Sequence, residues 1–218
     1  MGSKTLGSQK IAVIDYQMGN VHSVAKAFKL IGGDVVISNK KEVIERADCV
    51  VLPGVGAFAD GMKNIKKFGL IKILEEEILK KRKPFLGICL GMQLLAKESD
   101  EFGLHKGLGW LDASVKMIKT GDTNLKVPHV GWNNIKMNIK CPLFKEIRQN
   151  SEFYFVHSFH VVCKLTQNVM AVCDYGIKLT AAIQKNNIFA VQFHPEKSQT
   201  AGLRVLENFL NLSKKEHA

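Results

Sequence analysis

Short apolar runs alternate with segments of helical periodicity through the first ninety residues, and this alternation constrains the fold more than any other feature. The apolar runs are IAVID (11–15), DVVIS (34–38), DCVVLPG (48–54) and PFLGI (84–88). The segments between them, such as VHSVAKAFKLIG, carry apolar residues close to helical spacing. Strands that are apolar on both faces and alternate with helices predict a parallel sheet covered by helices on each side.

The pattern changes from about residue 108 onwards, where short β-type runs follow one another between Asn, Lys and Gly turns. These runs are SVKMI, GWNNI, FYFVHSF, AVCDY, TAAIQ and NIFAVQF, and the amphipathic helix TAGLRVLENFLNL follows them. They predict antiparallel strands that extend the sheet. We therefore expect one α/β domain over residues 10–213, with a central mixed, mostly parallel sheet and helices on both faces. Residues 1–9 are expected to be a disordered leader or an expression remnant, and residues 214–218 a C-terminal tail.

Composition narrows the class of protein. Of the 218 residues 46% are hydrophobic, which is enough for a large core. There is no run of eighteen apolar residues, so we expect no membrane span. The five cysteines are an odd number without a CxxC pair, which argues against a disulfide framework or a zinc site and favours a reducing cytoplasm. The net charge of +11 is spread along helices among glutamates, so a solvated surface or an acidic partner is favoured over nucleic acid.

Cys89 stands between Gly87 and Gly91 where the fourth apolar run ends. A nucleophile flanked by small residues at this spacing is typical of a sharp strand-to-helix turn that exposes the central side chain. We expect a helix over LGMQLLAKE (90–98), whose dipole would favour a thiolate. Taken alone, the motif is equally consistent with a buried structural cysteine.

Two other segments supply what a cysteine nucleophile needs. His194, Pro195 and Glu196 follow an apolar strand, and a turn there could bring the carboxylate to the imidazole, which would then act as the base for Cys89. The loop PGVGAF (53–58) follows the third apolar run, and its glycines let backbone N–H groups approach an oxyanion. All three segments are predicted to lie at strand carboxyl ends, where reactive groups gather in open sheets.

GICLGMQLL, PGVGAF and VQFHPEKS together resemble the class I, triad-type glutamine amidotransferases, over nearly the whole chain from Lys10 to about Leu212. IDYQMGNVHSV, VPHVGWN (127–133) and FYFVHSF (153–159) are similar to the glutaminase subunits of imidazole glycerol phosphate synthases in histidine biosynthesis. The resemblance implies an L-glutamine substrate, hydrolysis to glutamate and ammonia through a cysteine thioester, and neither cofactor nor metal.

The resemblance also implies roles for individual residues. Catalysis would fall to Cys89, His194 and Glu196, and the oxyanion would be held by the amides of Val55 and Leu90. Substrate glutamine would be bound by a larger set of residues: Gly54, Gly56, Gln93, Glu101, His157, Ser158 and Phe159.

The implied partner is a (β/α)₈ cyclase that forms a heterodimer with the glutaminase and receives its ammonia. The segment VPHVGWN would lie near the junction, with His129 and Trp132 at the interface, although a core position for Trp132 is the alternative. Hydrolysis would stay low until the cyclase binds its nucleotide ligand, and the switch would be a peptide flip in the loop 54–56.

Three departures from the family pattern leave a second pathway open. Gln17 stands where glycine is usual, Phe159 where tyrosine is usual and Ala190 where glycine is frequent. A paralogue that supplies ammonia to a sugar-modifying amidotransferase therefore stays an alternative. A non-catalytic scaffold subunit and a basic nucleic-acid binder are more remote alternatives.

Overall fold

A computed structural model describes residues 9–121, 125–138 and 140–215 of the chain. Its strands are β1 Lys10–Ile14, β2 Asp34–Ser38, β3 Cys49–Gly54, β4 Phe85–Cys89, β5 Ala96–Ser99, β6 His105–Lys106, β7 Leu111–Met117, β8 His129–Met137, β9 Glu152–His157, β10 Phe159–Cys163, β11 Val169–Asp174, β12 Lys178–Lys185 and β13 Ile188–Val191. Most of the predicted leader and the last three residues of the predicted tail lie outside the described residues.

The helices lie between and after these strands. They are α1 Val21–Leu30, α2 Lys41–Arg46, α3 Phe58–Lys67, α4 Leu70–Leu74, α5 Leu90–Gln93 and α6 Gln199–Lys215. A π-helical segment, Glu75–Lys80, continues α4, and three 3₁₀ turns cover Pro142–Phe144, Thr166–Asn168 and Pro195–Lys197. No helix in the described part of the chain is long and apolar enough to cross a membrane.

The main sheet has nine strands in the order β2-β1-β3-β4-β13-β12-β11-β8-β9. The five strands from β2 to β13 run parallel, and the remaining pairs are antiparallel. The predicted parallel sheet with an antiparallel extension is therefore confirmed. A second sheet of four strands, in the order β10-β7-β5-β6, is an addition that the sequence pattern did not predict.

Alternate residues of the parallel strands face two separate parts of the core. In β1, Ile11 and Val13 pack in a cluster with residues of α1 and α6, whereas Ala12 and Ile14 pack with residues of α2, α3 and α4. Both faces of the strand are thus covered, which explains why the parallel strands read as continuous apolar runs. The predicted layers, with helices on each side of the sheet, are confirmed.

The predicted helix over residues 90–98 is wrong beyond Gln93. α5 ends there, and residues 96–99 form β5, which pairs with β7 and β6. The residues of this segment favour helix intrinsically, but pairing in the second sheet overrides that weak preference. A four-residue helix also gives little support to the expected dipole effect on Cys89.

Candidate active site

Cys89 is the last residue of β4 and lies at a sharp turn into α5, as the glycine spacing predicts. Its φ of 52° and ψ of −108° place a non-glycine residue in a strained backbone region. The turn requires the flanking glycines sterically. A Cβ on Gly91 would lie 1.8 Å from the carbonyl oxygen of Leu52 in β3, and one on Gly87 would lie 2.8 Å from the carbonyl oxygen of Gly91. The sequence therefore holds the Cys89 side chain at the end of the parallel sheet.

His194 and Glu196 meet at the same end of the sheet. They follow β13, which pairs parallel to β4, so the chain leaves both strands at one edge. The Nδ1 atom of His194 lies 2.8 Å from Oε1 of Glu196, and both side chains are fully buried. The amide Nδ2 of Asn20, in the loop after β1, also donates to Glu196 Oε1. The structure thus brings together the imidazole and carboxylate that the sequence placed two residues apart.

The second ring nitrogen of His194 is left for the Cys89 sulfur. Within the described residues, no group makes a well-aligned hydrogen bond to His194 Nε2. Burial lowers the pKa of His194, but Cys89 and Glu196 outweigh it and raise this pKa to about 9. Contacts of this kind are often poorly aligned before substrate binds. The arrangement can hold a proton on the imidazole beside the Cys89 sulfur.

The amide of Val55, an expected oxyanion donor, is engaged elsewhere. Val55 N–H donates to the carbonyl oxygen of Met18 at 2.9 Å, so it points away from the space above Cys89. Gly56, the next residue, has a φ of +101° that favours glycine. Leu90, the other expected donor, contributes the first amide of α5, and the first amides of a helix have no intrahelical acceptor. The Leu90 amide is therefore not used inside its own helix, whereas the Val55 amide would need a peptide rotation to face the cleft.

A cleft of about 580 Å³ opens above Cys89. It gathers nine of the residues that the sequence singled out: Val55, Gly56, Cys89, Leu90, Gln93, Glu101, His157, Ser158 and Phe159. It is also lined by Phe102, Met117, Pro128, Val156 and Lys197. A cleft of this size, with a few polar groups among apolar ones, is typical of a small-molecule site.

Gln93 and Glu101 are fixed by hydrogen bonds inside this cleft. Gln93 is buried, and its Nε2 donates to the carbonyl oxygen of Phe159 at 3.0 Å. Glu101 Oε2 accepts from the backbone N–H of Phe58, the first residue of α3, at 2.6 Å. Glu101 therefore ties the β5–β6 loop to the helix that follows PGVGAF, and no described residue makes a hydrogen bond or ion pair with its other oxygen.

His157 and His129 form a buried pair behind the cleft. His157 Nδ1 lies 2.9 Å from the Phe159 carbonyl oxygen, which can only accept, so this nitrogen carries the proton. His157 Nε2 then accepts from His129 Nδ1 at 3.1 Å. Burial lowers the pKa of His157 to about 3 and that of His129 to about 4. Both rings are neutral near pH 7 and hold the Phe159 backbone in place.

The two expected interface residues occupy different environments. Trp132 is 45% exposed and its ring lies edge-on to Tyr154, with the two centroids 6.0 Å apart. It is therefore a surface residue and not part of the core. His129 is only 2% exposed, so it lies beneath that surface.

Sequence reasoning missed two residues in the loop after β1 that bond to predicted site residues. Asn20 bonds Glu196, and Met18 accepts from Val55. Met18-Gly19-Asn20 reads as an ordinary turn, but β1 pairs parallel to β3, so its loop must reach the same sheet edge as PGVGAF. That topology was the available signal. Within the described residues, no group of three or more His, Cys, Asp or Glu side chains could hold a metal ion.

The fold and this site agree with a match to one family. Residues 12–212 match the model of the glutamine amidotransferase class-I family. The chain belongs to that family. The solved structure titled "Structure of PurLQS from Thermotoga maritima" superposes with a TM-score of 0.73 at 17% identity, over 94% of this chain and 99% of that chain, and shows the shared fold.

Two more similar relatives lie within one group of that family. The chain is 49% identical over 202 residues to "Imidazole glycerol phosphate synthase subunit HisH 1" of Campylobacter jejuni strain RM1221, covering 93% of this chain and 100% of the relative. It is 46% identical over 200 residues to "Imidazole glycerol phosphate synthase subunit HisH 2" of Methanococcus maripaludis, covering 92% and 98%.

Proposed function

We propose that this chain is the glutaminase subunit of an imidazole glycerol phosphate synthase. It hydrolyses L-glutamine to glutamate and ammonia and delivers the ammonia to a cyclase partner in histidine biosynthesis. The observation that carries the proposal is the convergence of Cys89, His194 and Glu196 at one sheet edge, with Cys89 lining a cleft of small-molecule size. Near full-length similarity to proteins named as subunits of this synthase supports the assignment.

The first half of the reaction forms a thioester. The Cys89 thiolate attacks the γ-carbonyl carbon of glutamine, and the carbonyl oxygen becomes an oxyanion. The protonated His194 gives its proton to the departing nitrogen, so the C–N bond breaks and ammonia leaves. Glu196 accepts the hydrogen bond from His194 Nδ1 and fixes the ring with Nε2 toward the sulfur.

The second half of the reaction releases glutamate. Neutral His194 takes a proton from water, and the resulting hydroxide adds to the thioester carbon. The C–S bond then breaks with its electron pair on sulfur, which regenerates the thiolate and the imidazolium. The raised pKa of His194 suits this role, because the ring must hold a proton beside an anionic sulfur between turnovers.

The cleft offers groups for the two ends of free glutamine. The free carboxylate oxygen of Glu101 would accept from the α-ammonium group. Gln93 and the segment 157–159 would line the path of the side chain toward Cys89. The two hydrogens of Gln93 Nε2 are directed to acceptors of the protein, so its Oε1 is the atom left for a substrate donor.

Activation would come from rotation of the Gly54–Val55 peptide. In this structure Val55 N–H bonds Met18, so the oxyanion would have the Leu90 amide but lack its second donor. Loss of one oxyanion donor costs roughly 10²–10³ in rate in other enzymes. A partner that favours the rotated peptide would raise the rate by completing the hole.

The partner would dock where apolar surface surrounds the cleft. Trp132 and Val130 are 45% and 55% exposed, and Lys197 Nζ lies 5.5 Å from the ring centroid of Tyr154. An exposed aromatic and a cation that lines the cleft suit a tight interface with a (β/α)₈ cyclase in a heterodimer. The five free thiols suit a cytoplasmic location.

A glutaminase assay in three states tests this proposal. Glutamate release should be weak for the chain alone and should rise strongly when the cyclase and its nucleotide ligand are added. Cys89→Ala should abolish it in every state, whereas Cys163→Ala, a change of a half-buried thiol in the second sheet, should not. Full activity of Cys89→Ala in the complex would show that the nucleophile is assigned wrongly.

Complementation of a histidine auxotroph that lacks its glutaminase subunit tests the pathway. Growth without histidine is the expected result. If glutamate release in the assay is normal but the auxotroph does not grow, the chain supplies ammonia to a different acceptor, and the histidine assignment is wrong.

A further inference from the structure

A buried side-chain amide outside the predicted set of site residues contacts the Cys89 sulfur. Gln192 follows β13 and is fully buried, and its Nε2 lies 3.6 Å from Cys89 Sγ as a hydrogen-bond donor. Its backbone is anchored because Gln192 N–H donates to the Ala181 carbonyl oxygen of β12 at 2.9 Å. Buried amide groups are normally hydrogen-bonded, and the Gln192 side chain uses the Cys89 sulfur as one of its acceptors.

The direction of this amide is fixed from the other side. Gln93 Nε2 donates to Gln192 Oε1 at 3.2 Å and to the Phe159 carbonyl oxygen at 3.0 Å. Because the Phe159 oxygen can only accept, the NH₂ group of Gln93 must face it. The carbonyl oxygen of Gln192 then faces Gln93, and its NH₂ group faces Cys89. A chain of two side-chain amides thus runs from the wall of the cleft to the sulfur.

We propose that Gln192 is a further catalytic residue of this site, whose side-chain amide positions the Cys89 sulfur and stabilises its thiolate form. The inference rests on the proposed function, in which Cys89 is the nucleophile. Gln93 acts through Gln192 as a positioning residue, in addition to lining the cleft.

The effect depends on the charge of the sulfur. A thiol or a thioester sulfur is a weak acceptor, whereas a thiolate accepts a charge-assisted hydrogen bond. Gln192 therefore stabilises the Cys89 thiolate before it attacks the substrate. It stabilises the thiolate again when the C–S bond of the thioester breaks and its electron pair returns to sulfur. Loss of the amide should raise the pH at which the thiolate forms and slow thioester hydrolysis.

Other ionisable groups surround the sulfur and set the background for any pH measurement. His194, with Glu196 behind it, faces the sulfur from the end of β13, and the buried Tyr16, which follows β1, interacts electrostatically with Cys89. The cleft adds His157 from β9, Glu101 from the β5–β6 loop and Lys197 from the turn after β13. None of these groups is changed by a substitution at Gln192.

The test is the pH dependence of Cys89 alkylation by iodoacetamide in the full chain, followed by mass spectrometry of the peptide that contains Cys89. Gln192→Leu should move the midpoint upward by about one pH unit, since a hydrogen bond to a charged group corresponds to about 10- to 100-fold in equilibrium. Glutamate release with the cyclase should fall by a similar factor in kcat, with a much smaller change in KM.

A second variant and a control separate catalysis from folding. Gln192→Glu keeps an acceptor for Gln93 but replaces the donor by a carboxylate, so it should move the alkylation midpoint further upward. Asn208→Leu removes a buried amide with two hydrogen bonds on α6, remote from the cleft, and should leave the midpoint unchanged.

Only a Gln192 variant that unfolds at the wild-type temperature is used for the comparison. If the alkylation midpoint of such a variant equals that of the wild type, the proposal is wrong. It is also wrong if Asn208→Leu shifts the alkylation midpoint as much as the Gln192 variants do. Iodoacetamide needs neither glutamine nor a cyclase. If the unaltered chain releases no glutamate, the proposed function fails, and the alkylation profile still decides whether Gln192 acts on the sulfur.

Discussion

The hydrogen bond between Asn20 and Glu196 should be needed for both stability and activity. Asn20 has a φ of 59°, a left-handed conformation that Asn and Gly adopt readily. Asn20→Gly removes only the side chain and leaves the fully buried Glu196 carboxylate with His194 as its remaining partner at Oε1. A hydrogen bond to a charged group contributes about 1.5–3 kcal/mol, so the free energy of unfolding should fall by that amount.

Two further substitutions separate the causes. Asn20→Ala adds the cost of a left-handed alanine, roughly 1 kcal/mol beyond the glycine variant. Asn20→Asp keeps the shape of the side chain but sets a carboxylate against Glu196, so it should be the least stable variant at pH 7.5. Its free energy of unfolding should rise again as the pH falls and a proton is shared between the two carboxylates. The first measurement is urea unfolding of all three variants at several pH values.

Activity provides the second readout for the same residue. Glu196 fixes the ring of His194, so kcat for glutamate release with the cyclase should fall about tenfold in Asn20→Gly, which corresponds to about 1.4 kcal/mol. Asn20 does not support Glu196 in this way if Asn20→Gly matches the wild type in both unfolding free energy and kcat, or if Asn20→Asp is as stable as the wild type at pH 7.5.

Three shorter predictions concern the rest of the site. Gly91→Ala should prevent folding, because its Cβ would lie 1.8 Å from the Leu52 oxygen. Soluble yield and thermal unfolding would show this. In the control Gly32→Ala the added Cβ meets no atom within 4 Å, so this change should cost only about 1 kcal/mol. The pKa of His129 is lowered to about 4, below the value near 6.5 that it has in the unfolded chain. The stability that neutral His129 contributes is therefore complete above about pH 6.5 and is lost as the pH falls toward 4. His129→Gln should reduce this loss of unfolding free energy at low pH, as measured by urea titrations. Glu101→Ala should raise KM for glutamine more than tenfold and should lower the unfolding free energy by about 1–2 kcal/mol, whereas an unchanged KM would exclude substrate contact.

The main architecture could be predicted because it depends on local pattern. Strands buried on both faces leave continuous apolar runs, and helices leave a 3.6-residue period, so β1 to β4 and their helices were evident. The strand β5 could not be predicted from local pattern, since its sequence AKES carries helix formers. Its extended conformation comes from pairing with β7 and β6. Distant pairing of this kind leaves no periodic signal in so short a segment.

The site shows the same division between what is local and what is distant. The glycines around Cys89 and the two-residue separation of His194 and Glu196 are local, and the structure brings these three side chains together. Asn20 lies 174 positions from His194, and only the sheet order brings the two residues together. The direction of the Val55 amide depends on one peptide torsion, which the sequence PGVGAF permits in either orientation because of its glycines.

The most direct test of the central claim is labelling with a glutamine analogue that carries a diazoketone group, 6-diazo-5-oxo-L-norleucine, in the complex with the cyclase and its nucleotide ligand. We expect that one equivalent of label attaches to Cys89 and that glutamate release is lost in proportion. Cys49, Cys141, Cys163 and Cys173 should stay unlabelled, and Cys89→Ala should take up no label. Label on a different cysteine, or glutamate release that persists after complete modification of Cys89, would show that Cys89 is not the nucleophile.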